Sequence, residues 1–331
     1  MKLLAWGRLL RLSLAPSAVA DIAAGLCLGA WGVLPARREC LLLVAASFSV
    51  YHGGMALNDW ADRATDARTR PDRPIPSGAV PARSALAVGV LLLVVGPLLA
   101  WQAARTAGLA LAAVAACAAL YDLAGRGPWR GPLLLALCRG GNLASGLLLA
   151  QMLAGAAPQG APRLVWEAAA LYALYVFSAS RLGRLEDDED RRPLGRRPSL
   201  YLMLCGGCLL MVPGLLVCFD APPEPTSQDA AIAVAGSPGI LVCILAGALW
   251  AAWGLVRPAL RSRWSRQEVG HMTGAALRRL LVFTAGCAAV SAVPTDETAV
   301  GIDGFNGVQV ALAILLGYPL SFALRKVFPP T

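Results

Sequence analysis

The segment from Asn58 to Asp66, Asn-Asp-Trp-Ala-Asp-Arg-Ala-Thr-Asp, carries polar side chains at helical spacing. If it is a helix, Asn58, Asp62 and Asp66 lie at i, i+4 and i+8, and Asp59 lies on the same face. Carboxylates on one face repel one another unless a cation lies between them. Mg²⁺ takes oxygen ligands and is commonly held by one or two carboxylates with substrate phosphates. The segment therefore predicts a Mg²⁺ site; the alternative is a solvated acidic helix end.

The loop that follows is basic and rich in proline, reading Arg70-Pro-Asp-Arg-Pro-Ile-Pro-Ser-Gly78. Because proline interrupts a helix, we expect an ordered loop that carries Arg70 and Arg73 back over the acidic face. Arginines beside carboxylates suit a polyanion that metal bridges on one side and guanidinium groups hold on the other. The alternative for each arginine is the ordinary positive charge of a cytoplasmic loop.

These residues must be positioned by membrane helices. Of the 331 residues, 57% are hydrophobic and only 15% are charged, with a mean hydropathy of +0.60, whereas soluble domains carry about 25% charged residues. Apolar runs of nearly the length that crosses a bilayer recur throughout. The sequence predicts an all-α, polytopic transmembrane bundle of about nine to ten spans that forms a single membrane domain over residues 1–331. The ten predicted spans are 12–34, 39–58, 84–104, 106–121, 132–154, 164–181, 200–219, 231–256, 277–294 and 304–324.

The distribution of basic residues predicts the orientation of these spans. Most of the 29 Lys and Arg residues lie on one side of the alternating loops, so the positive-inside rule places both termini in the cytoplasm. We expect a multi-pass protein of the cell inner membrane, and no cleavable signal peptide, because the first apolar run continues as a full span. The net charge of +9 fits this topology and contact with anionic membrane lipids, with no nucleic-acid partner.

Charged residues lie inside the first and fifth spans. Asp21 lies near the middle of the first span, where such a residue is usually functional and faces the bundle interior. Gly25 and Gly29 follow at the spacing that lets two helices pack closely. Arg139 and Asn142 lie on one face of the fifth span. We expect Arg139 to point into the bundle, toward a bound anion or Asp21; the alternative is snorkelling to the cytoplasmic surface.

The motif at 58–66, followed by Arg-Pro-Ile-Pro-Ser-Gly at 73–78, resembles the first aspartate-rich motif and following loop of the UbiA superfamily of intramembrane prenyltransferases. The resemblance implies a second acidic motif after the sixth span, on the same cytoplasmic side. Residues 186–190 read Glu-Asp-Asp-Glu-Asp there, and Ser180, Arg181 and Leu182 stand near the place of the family's earliest aspartate. This Ser-Arg start and the segment 137–142 also resemble the EboC-like branch.

The resemblance implies a role for each candidate residue. Tyr121 and Arg126 match a family segment in which a tyrosine and a basic residue help to hold diphosphate. The implied Mg²⁺ ligands are Asp59, Asp62, Asp66, Glu186, Asp187 and Asp190. The implied substrate-binding residues are Asn58, Arg70, Arg73, Tyr121, Asn142 and Arg181. Asp62, Asp66, Arg126 and Arg139 are the implied catalytic residues.

The expected reaction is Mg²⁺-dependent ionisation of a prenyl diphosphate, followed by transfer of the prenyl group to an aromatic or other lipophilic acceptor. Membrane lipids are the remaining expected partners. The same ionisation without an acceptor gives an intramembrane terpene cyclase, and binding without turnover gives a carrier for a lipid or prenylated intermediate. The Asp-Gly and Ala-Arg pattern of CDP-alcohol phosphotransferases is missing from residues 59–83.

Overall fold

A computed structural model describes residues 2–30, 33–35, 37–124, 127–153, 163–186, 194–214, 228–291 and 304–328. Its helices are α1 (Lys2–Leu9), α2 (Ala15–Ala30), α3 (Arg38–Thr69), α4 (Ala82–Ala103), α5 (Arg105–Leu123), α6 (Arg130–Leu153), α7 (Arg163–Glu186), α8 (Arg197–Gly214), α9 (Gln228–Ala259), α10 (Arg266–Arg278), α11 (Leu280–Val290) and α12 (Gly307–Val327). A 3₁₀ turn, Leu12–Leu14, leads into α2. Two short antiparallel strands, β1 (Val33–Pro35) and β2 (Gly304–Asn306), pair with Val33 opposite Asn306.

The predicted transmembrane bundle is confirmed. Within the described residues, eight helical segments are long and apolar enough to cross a membrane, counting Leu12–Ala30 as one and α10 with α11 as another. The predicted sixth and seventh spans correspond to α7 and α8, so each of the ten predicted spans coincides with a helix. The two short strands are a local addition between the segments that follow α2 and precede α12.

The helix α2 lies inside the bundle because small residues let it approach α6. A Cβ atom on Gly146 would lie 2.5 Å from the carbonyl oxygen of Ile22, and one on Gly29 would lie 2.6 Å from that of Leu147. Gly25 is equally constrained against the Leu143 carbonyl. The predicted close packing at Gly25 and Gly29 is therefore confirmed, and it brings the polar faces of α2 and α6 together.

Two clusters of buried residues surround this pair of helices. One joins α2 to α3, α5 and α6 and includes Leu43 and Leu111. The larger one joins α6 through α11 and is centred on Tyr172, Tyr175 and Phe283, all with no exposed surface. Of the described residues that are predicted to do chemistry, Arg139 and Asn142 lie on α6 against α2, and Asn58 and the three aspartates lie in the last part of α3.

Candidate functional site

The acidic segment is helical, as the spacing predicts. α3 continues without interruption to Thr69, and Arg70 is its C-cap residue. The helix stops here because Arg70 precedes Pro71, and a residue before proline disfavours the helical conformation. Asp59 and Asp66 are buried, and Asp62 is half-buried. Their shared face points toward the protein, which argues against a fully solvated helix end.

Two arginines neutralise this face. Arg73 Nη1 lies 2.6 Å from Asp66 Oδ2 and 3.6 Å from Asp59 Oδ1. Arg11 Nη2 lies 3.0 Å from Asp59 Oδ1. A guanidinium group thus lies between Asp59 and Asp66, and the predicted return of Arg73 over the acidic face is confirmed.

The loop that carries Arg73 is held by its own backbone. Arg73 N–H donates to the Arg70 carbonyl at 3.1 Å, and Ser77 N–H donates to the Arg73 carbonyl at 3.0 Å. Gly78 closes the turn with a φ of 75°, a conformation that favours glycine. Arg73 is buried in this arrangement, whereas Arg70 lies on the surface, so its substrate-binding role stays a prediction.

Asn58 joins the acidic face to the end of α5. Its Nδ2 donates to Asp122 Oδ1 at 2.8 Å. Arg11 Nη2 lies 3.5 Å from Asn58 Oδ1. Tyr121 is half-buried beside Asp122, and Arg126 lies outside the described residues. The polar side chains of α3 and α5 therefore meet at one end of the bundle, as the family segment implies.

A second polar cluster lies deeper, between α2, α6 and α7. Asp21 is fully buried; its Oδ1 lies 3.1 Å from Arg139 Nη2 and accepts a hydrogen bond from Tyr172 Oη at 2.6 Å. Asn142 Nδ2 donates to Asp21 Oδ2 at 3.3 Å. Arg139 also donates to Ser17 Oγ at 2.5 Å. The predicted pairing of Arg139 with Asp21 is confirmed, and snorkelling to the surface is not observed.

A narrow cavity of about 100 Å³ connects the two clusters. Asn58, Tyr121 and Asp122 line one part of it, and Arg139 and Asn142 line another. Its walls are apolar residues of α3, α5 and α6, which include Val50, Met55, Val114, Ala118 and Leu135. The cavity therefore has polar side chains in both of these parts and apolar walls between them.

The second acidic motif is only partly described. Glu186 ends α7 and is exposed, and its carbonyl accepts a hydrogen bond from Arg266 Nη1 at 3.2 Å. Asp187 and Asp190 lie outside the described residues. Arg181 is buried, with its guanidinium carbon 3.9 Å from the Trp129 ring centroid and its Nε donating to Tyr201 Oη at 3.2 Å. These contacts fix Arg181 inside the protein, and its substrate-binding role stays a prediction.

The described carboxylates fit Mg²⁺ by the chemistry of their donor atoms. Asp59 Oδ2 is buried and has no hydrogen-bond partner among the described residues, so one oxygen is left to accept a cation. Within the same part of the chain, no three His, Cys, Asp or Glu side chains are grouped closely enough to hold a metal. A complete site from these residues therefore requires further donors, either from the second motif or from the substrate's own phosphates.

Several residues of the polar clusters, among them Tyr172 and Arg11, are missing from the sequence predictions. Tyr172 could have been found, because a tyrosine in an apolar span must place its hydroxyl group against a polar partner. Arg11 carried no such signal. It precedes the first span like an ordinary flanking arginine, and only the left-handed backbone at φ 51° and ψ 47° turns it toward Asp59.

Comparisons with known proteins agree with this geometry. The model of the UbiA prenyltransferase family matches residues 18–274. The digeranylgeranylglyceryl phosphate synthase of Halobacterium salinarum is 32% identical over 210 residues, which cover 62% of this chain and 73% of that protein. The bacteriochlorophyll synthase 33 kDa chain of Cereibacter sphaeroides is 41% identical over 115 residues, which cover 32% of this chain and 38% of that protein.

A solved structure supports the fold independently. A UbiA homolog from Archaeoglobus fulgidus, bound to DMAPP and Mg²⁺, superposes with a TM-score of 0.58 at 16% identity, covering 87% of this chain and 99% of the other. At this level of identity, the likeness shows the fold.

Proposed function

The chain belongs to the UbiA prenyltransferase family and is an intramembrane prenyltransferase, and on that premise we propose that it ionises a prenyl diphosphate with the help of Mg²⁺. The prenyl group then passes to an aromatic or other lipophilic acceptor. One observation carries the proposal: Asn58 and Asp122 line a cavity with mostly apolar walls, and Arg11 links Asn58 to the carboxylate of Asp59 on the same helix.

Asp59, Asp62 and Asp66 would hold the metal, together with Glu186, Asp187 and Asp190 of the second motif. When bound, Mg²⁺ supplies positive charge to the diphosphate oxygens as the allylic C–O bond breaks. Asp59 and Asp66 already face a cation, Arg73, at 3.6 and 2.6 Å. These carboxylates are thus positioned to bind cations in a protein environment with little water.

The arginines stabilise the leaving group. Arg73 and Arg11 reach the acidic face from two different segments, so their guanidinium groups can donate to phosphate oxygens beside the metal. Asn58 and Tyr121 orient the same end of the substrate. Charge that develops on diphosphate in the transition state is thereby met by donors that are already in place.

The deeper cluster holds Arg139, whose positive charge would add to that of Arg73 and Arg11. Asp21 and Tyr172 hold Arg139 at the inner part of the cavity, and the guanidinium carbon lies 5.9 Å from the Tyr51 ring centroid. The apolar walls exclude water from the allylic cation, so attack by the acceptor competes with little hydrolysis. The chain needs no nucleophile of its own for this reaction.

The acceptor is proposed only as a class. The names of the relatives refer to a glycerol phosphate lipid, a bacteriochlorophyll and a protohaem product. These products share a lipophilic character and differ in their polar groups. We therefore propose a lipophilic acceptor that enters from the membrane.

The test is diphosphate release by purified protein in nanodiscs, from prenyl diphosphates of several chain lengths, with Mg²⁺ or with EDTA. We expect Mg²⁺-dependent release that Asp62→Ala and Asp66→Ala each reduce by about 100-fold or more, because each loses a metal ligand. Asp72→Ala, which changes an exposed acid in the following loop, is the matched control and should retain activity. Near wild-type turnover by both variants would refute the assignment.

Mass analysis of the extracted products separates the related functions. A prenylated acceptor identifies a transferase. A cyclised hydrocarbon formed without an acceptor identifies a terpene cyclase. Binding of prenyl diphosphate with no release, across all donors and with quinone and phenol acceptors present, identifies a carrier.

A further inference from the structure

Two further cavities lie on another side of the bundle, between α9, α11 and α12. The first, of about 710 Å³, is polar, and its lining includes Arg261, Arg278, Arg279 and His271. The second, of about 470 Å³, is lined by apolar or small residues of α8, α9, α11 and α12 together with Cys243. None of the residues that line either cavity belongs to the acidic motif or the deeper polar cluster.

The two cavities adjoin each other, and together they are called the groove here. Val282 lines both of them. Along α9 the lining passes from Ala248 in the apolar part to Trp250 in the polar part, and along α12 it passes from Leu315 to Tyr318. The groove therefore runs parallel to three helices and changes from apolar to basic at one level.

The basic part is positively charged after its own carboxylate is counted. Glu268 accepts hydrogen bonds from the Ser265 backbone and hydroxyl group at 2.9 Å and lies 2.8 Å from Arg261 Nη1. Arg278 and Arg279 line the same space. The lining of this cavity thus contains three arginines and one carboxylate, which already has partners. A bound anion would balance the remaining positive charge.

Arg279 lies at the break between α10 and α11, where it is the C-cap residue of α10 and the N-cap residue of α11. Its Nε donates to the Ala251 carbonyl at 2.8 Å and its Nη1 to the Ala275 carbonyl at 3.1 Å. Its guanidinium group fills the space beside Gly254 where a Cβ atom would lie. This cation is positioned before any ligand arrives.

The groove opens toward the lipid. Trp250 is 69% exposed and Leu312 is 57% exposed. Trp250 and Tyr318 lie at the level where the groove changes character, and aromatic side chains of this kind favour the headgroup region of a bilayer. Basic pockets between membrane helices on the cytoplasmic side bind anionic lipid headgroups.

We propose that this groove, lined by Arg261, Arg278, Arg279 and Tyr318 at its basic end and by Gly247 and Leu312 in its apolar part, binds one anionic phospholipid of the surrounding membrane. The phosphate lies among the arginines, and one acyl chain follows the apolar part. A second copy of the chain is a poor occupant, because the protein carries a net charge of +9 and two basic surfaces repel each other. The prenyl diphosphate is also a poor occupant, because the groove offers no free carboxylate for its metal.

Native mass spectrometry of delipidated protein tests this, with phosphatidylglycerol and phosphatidylcholine of identical acyl chains as probes. We expect one phosphatidylglycerol bound at least about ten-fold more tightly than phosphatidylcholine. The double variant R261Q/R278Q should lower the phosphatidylglycerol affinity to that of phosphatidylcholine. R257Q/R263Q, an equal charge change at two exposed arginines that do not line the groove, should leave it unchanged. Arg279 is left unchanged in these variants, because its contacts with the Ala251 and Ala275 carbonyls join α9 to α10.

A second variant tests the apolar part. A Cβ atom on Gly247 would meet nothing within 4 Å, so Gly247→Leu fills the groove without a clash. We expect it to lower the affinity for both lipids about ten-fold. Gly207→Leu on α8 is the control, because Gly207 is equally open and lies outside the groove. Equal affinity for the two lipids, equal effects of R257Q/R263Q and R261Q/R278Q, or a wild-type dimer that Gly247→Leu dissociates would overturn the proposal. So would displacement of phosphatidylglycerol by prenyl diphosphate.

Discussion

Arg73 lies between the carboxylates of Asp59 and Asp66 and is itself buried. Removal of one partner from a buried ion pair leaves a charge without compensation and costs about 3–5 kcal/mol. We expect Arg73→Ala to lose about this much stability in the presence of EDTA. Mg²⁺ should restore more stability in this variant than in the wild type, because it relieves repulsion that Arg73 otherwise neutralises.

Thermal unfolding in detergent, with EDTA or Mg²⁺, measures both effects. Arg68→Ala is the control, since Arg68 is exposed in the last turn of the same helix and such substitutions change stability by about 0.5 kcal/mol or less. Equal melting temperatures for the two variants in EDTA would contradict the assigned role of Arg73. An Mg²⁺ shift no larger than that of the wild type would argue against metal binding at these carboxylates.

Asp21 and Arg139 form a second buried pair, which a double-mutant cycle can isolate. Asp21→Asn and Arg139→Gln should each cost about 3–5 kcal/mol, because each leaves the other charge unpaired. The double variant should cost clearly less than the sum, since it leaves neither charge behind. Tryptophan fluorescence during unfolding in mixed micelles is the measurement. Additive costs would show that the 3.1 Å contact contributes little coupling.

At the level of single residues, the sequence indicated which side chains are unusual but not all of their partners. Asp21 and Arg139 stood out because ionisable residues are costly inside a membrane span. The partner Tyr172 lies 151 residues beyond Asp21, and no local pattern links the two. The ion pair of Arg11 with Asp59 spans 48 residues and depends on a backbone turn that its neighbours do not encode in any simple way.

The contact between α2 and α6 sets the distance between these side chains. A single methyl group on Gly25 would meet the Leu143 carbonyl oxygen, so Gly25→Ala must move the two helices apart. We expect a loss of about 1–3 kcal/mol in stability and a larger relative loss of activity, because Asp21 separates from Arg139 and Asn142. Gly207→Ala, where the new methyl group meets nothing within 4 Å, should be close to neutral. Thermal unfolding and diphosphate release report the two effects, and equal results for both variants would contradict this account.

The helices themselves were largely predictable, because a membrane span requires a long apolar run. The continuation of α3 to Thr69 also followed from the spacing of its acidic residues. The start of α10 at Arg266 was missed: the predicted span began at residue 277, but the helical path starts 11 residues earlier. This segment is amphipathic and carries a capping box at Ser265 and Glu268, so its helicity does not depend on hydrophobicity.

At the scale of the whole molecule, the basic residues predict the side on which each loop lies, whereas no sequence pattern predicted the neighbours of each helix. The order along the chain places α2 beside α3, yet α2 packs extensively on α6 and also on α11 and α12. These neighbours are chosen by shape, through small residues such as Gly25, Gly29 and Gly146. The family resemblance supplied what composition could not, since it implied that two distant acidic segments meet at one end.

The last prediction concerns the orientation of the chain in the membrane. If the ten helices that coincide with the predicted spans cross the membrane in alternation, most of the Lys and Arg residues lie on the side of the acidic motif, and both termini should be cytoplasmic. In a bacterial host, green fluorescent protein fused after Thr331 should fluoresce, and alkaline phosphatase fused there should be inactive. Alkaline phosphatase fused after Gln102, at the end of α4, should be active. Active phosphatase at Thr331 would show that the orientation is reversed or that the number of spans is odd. A reversed orientation, which inactive phosphatase after Gln102 would identify, would place the acidic face where cytoplasmic prenyl diphosphate cannot reach it.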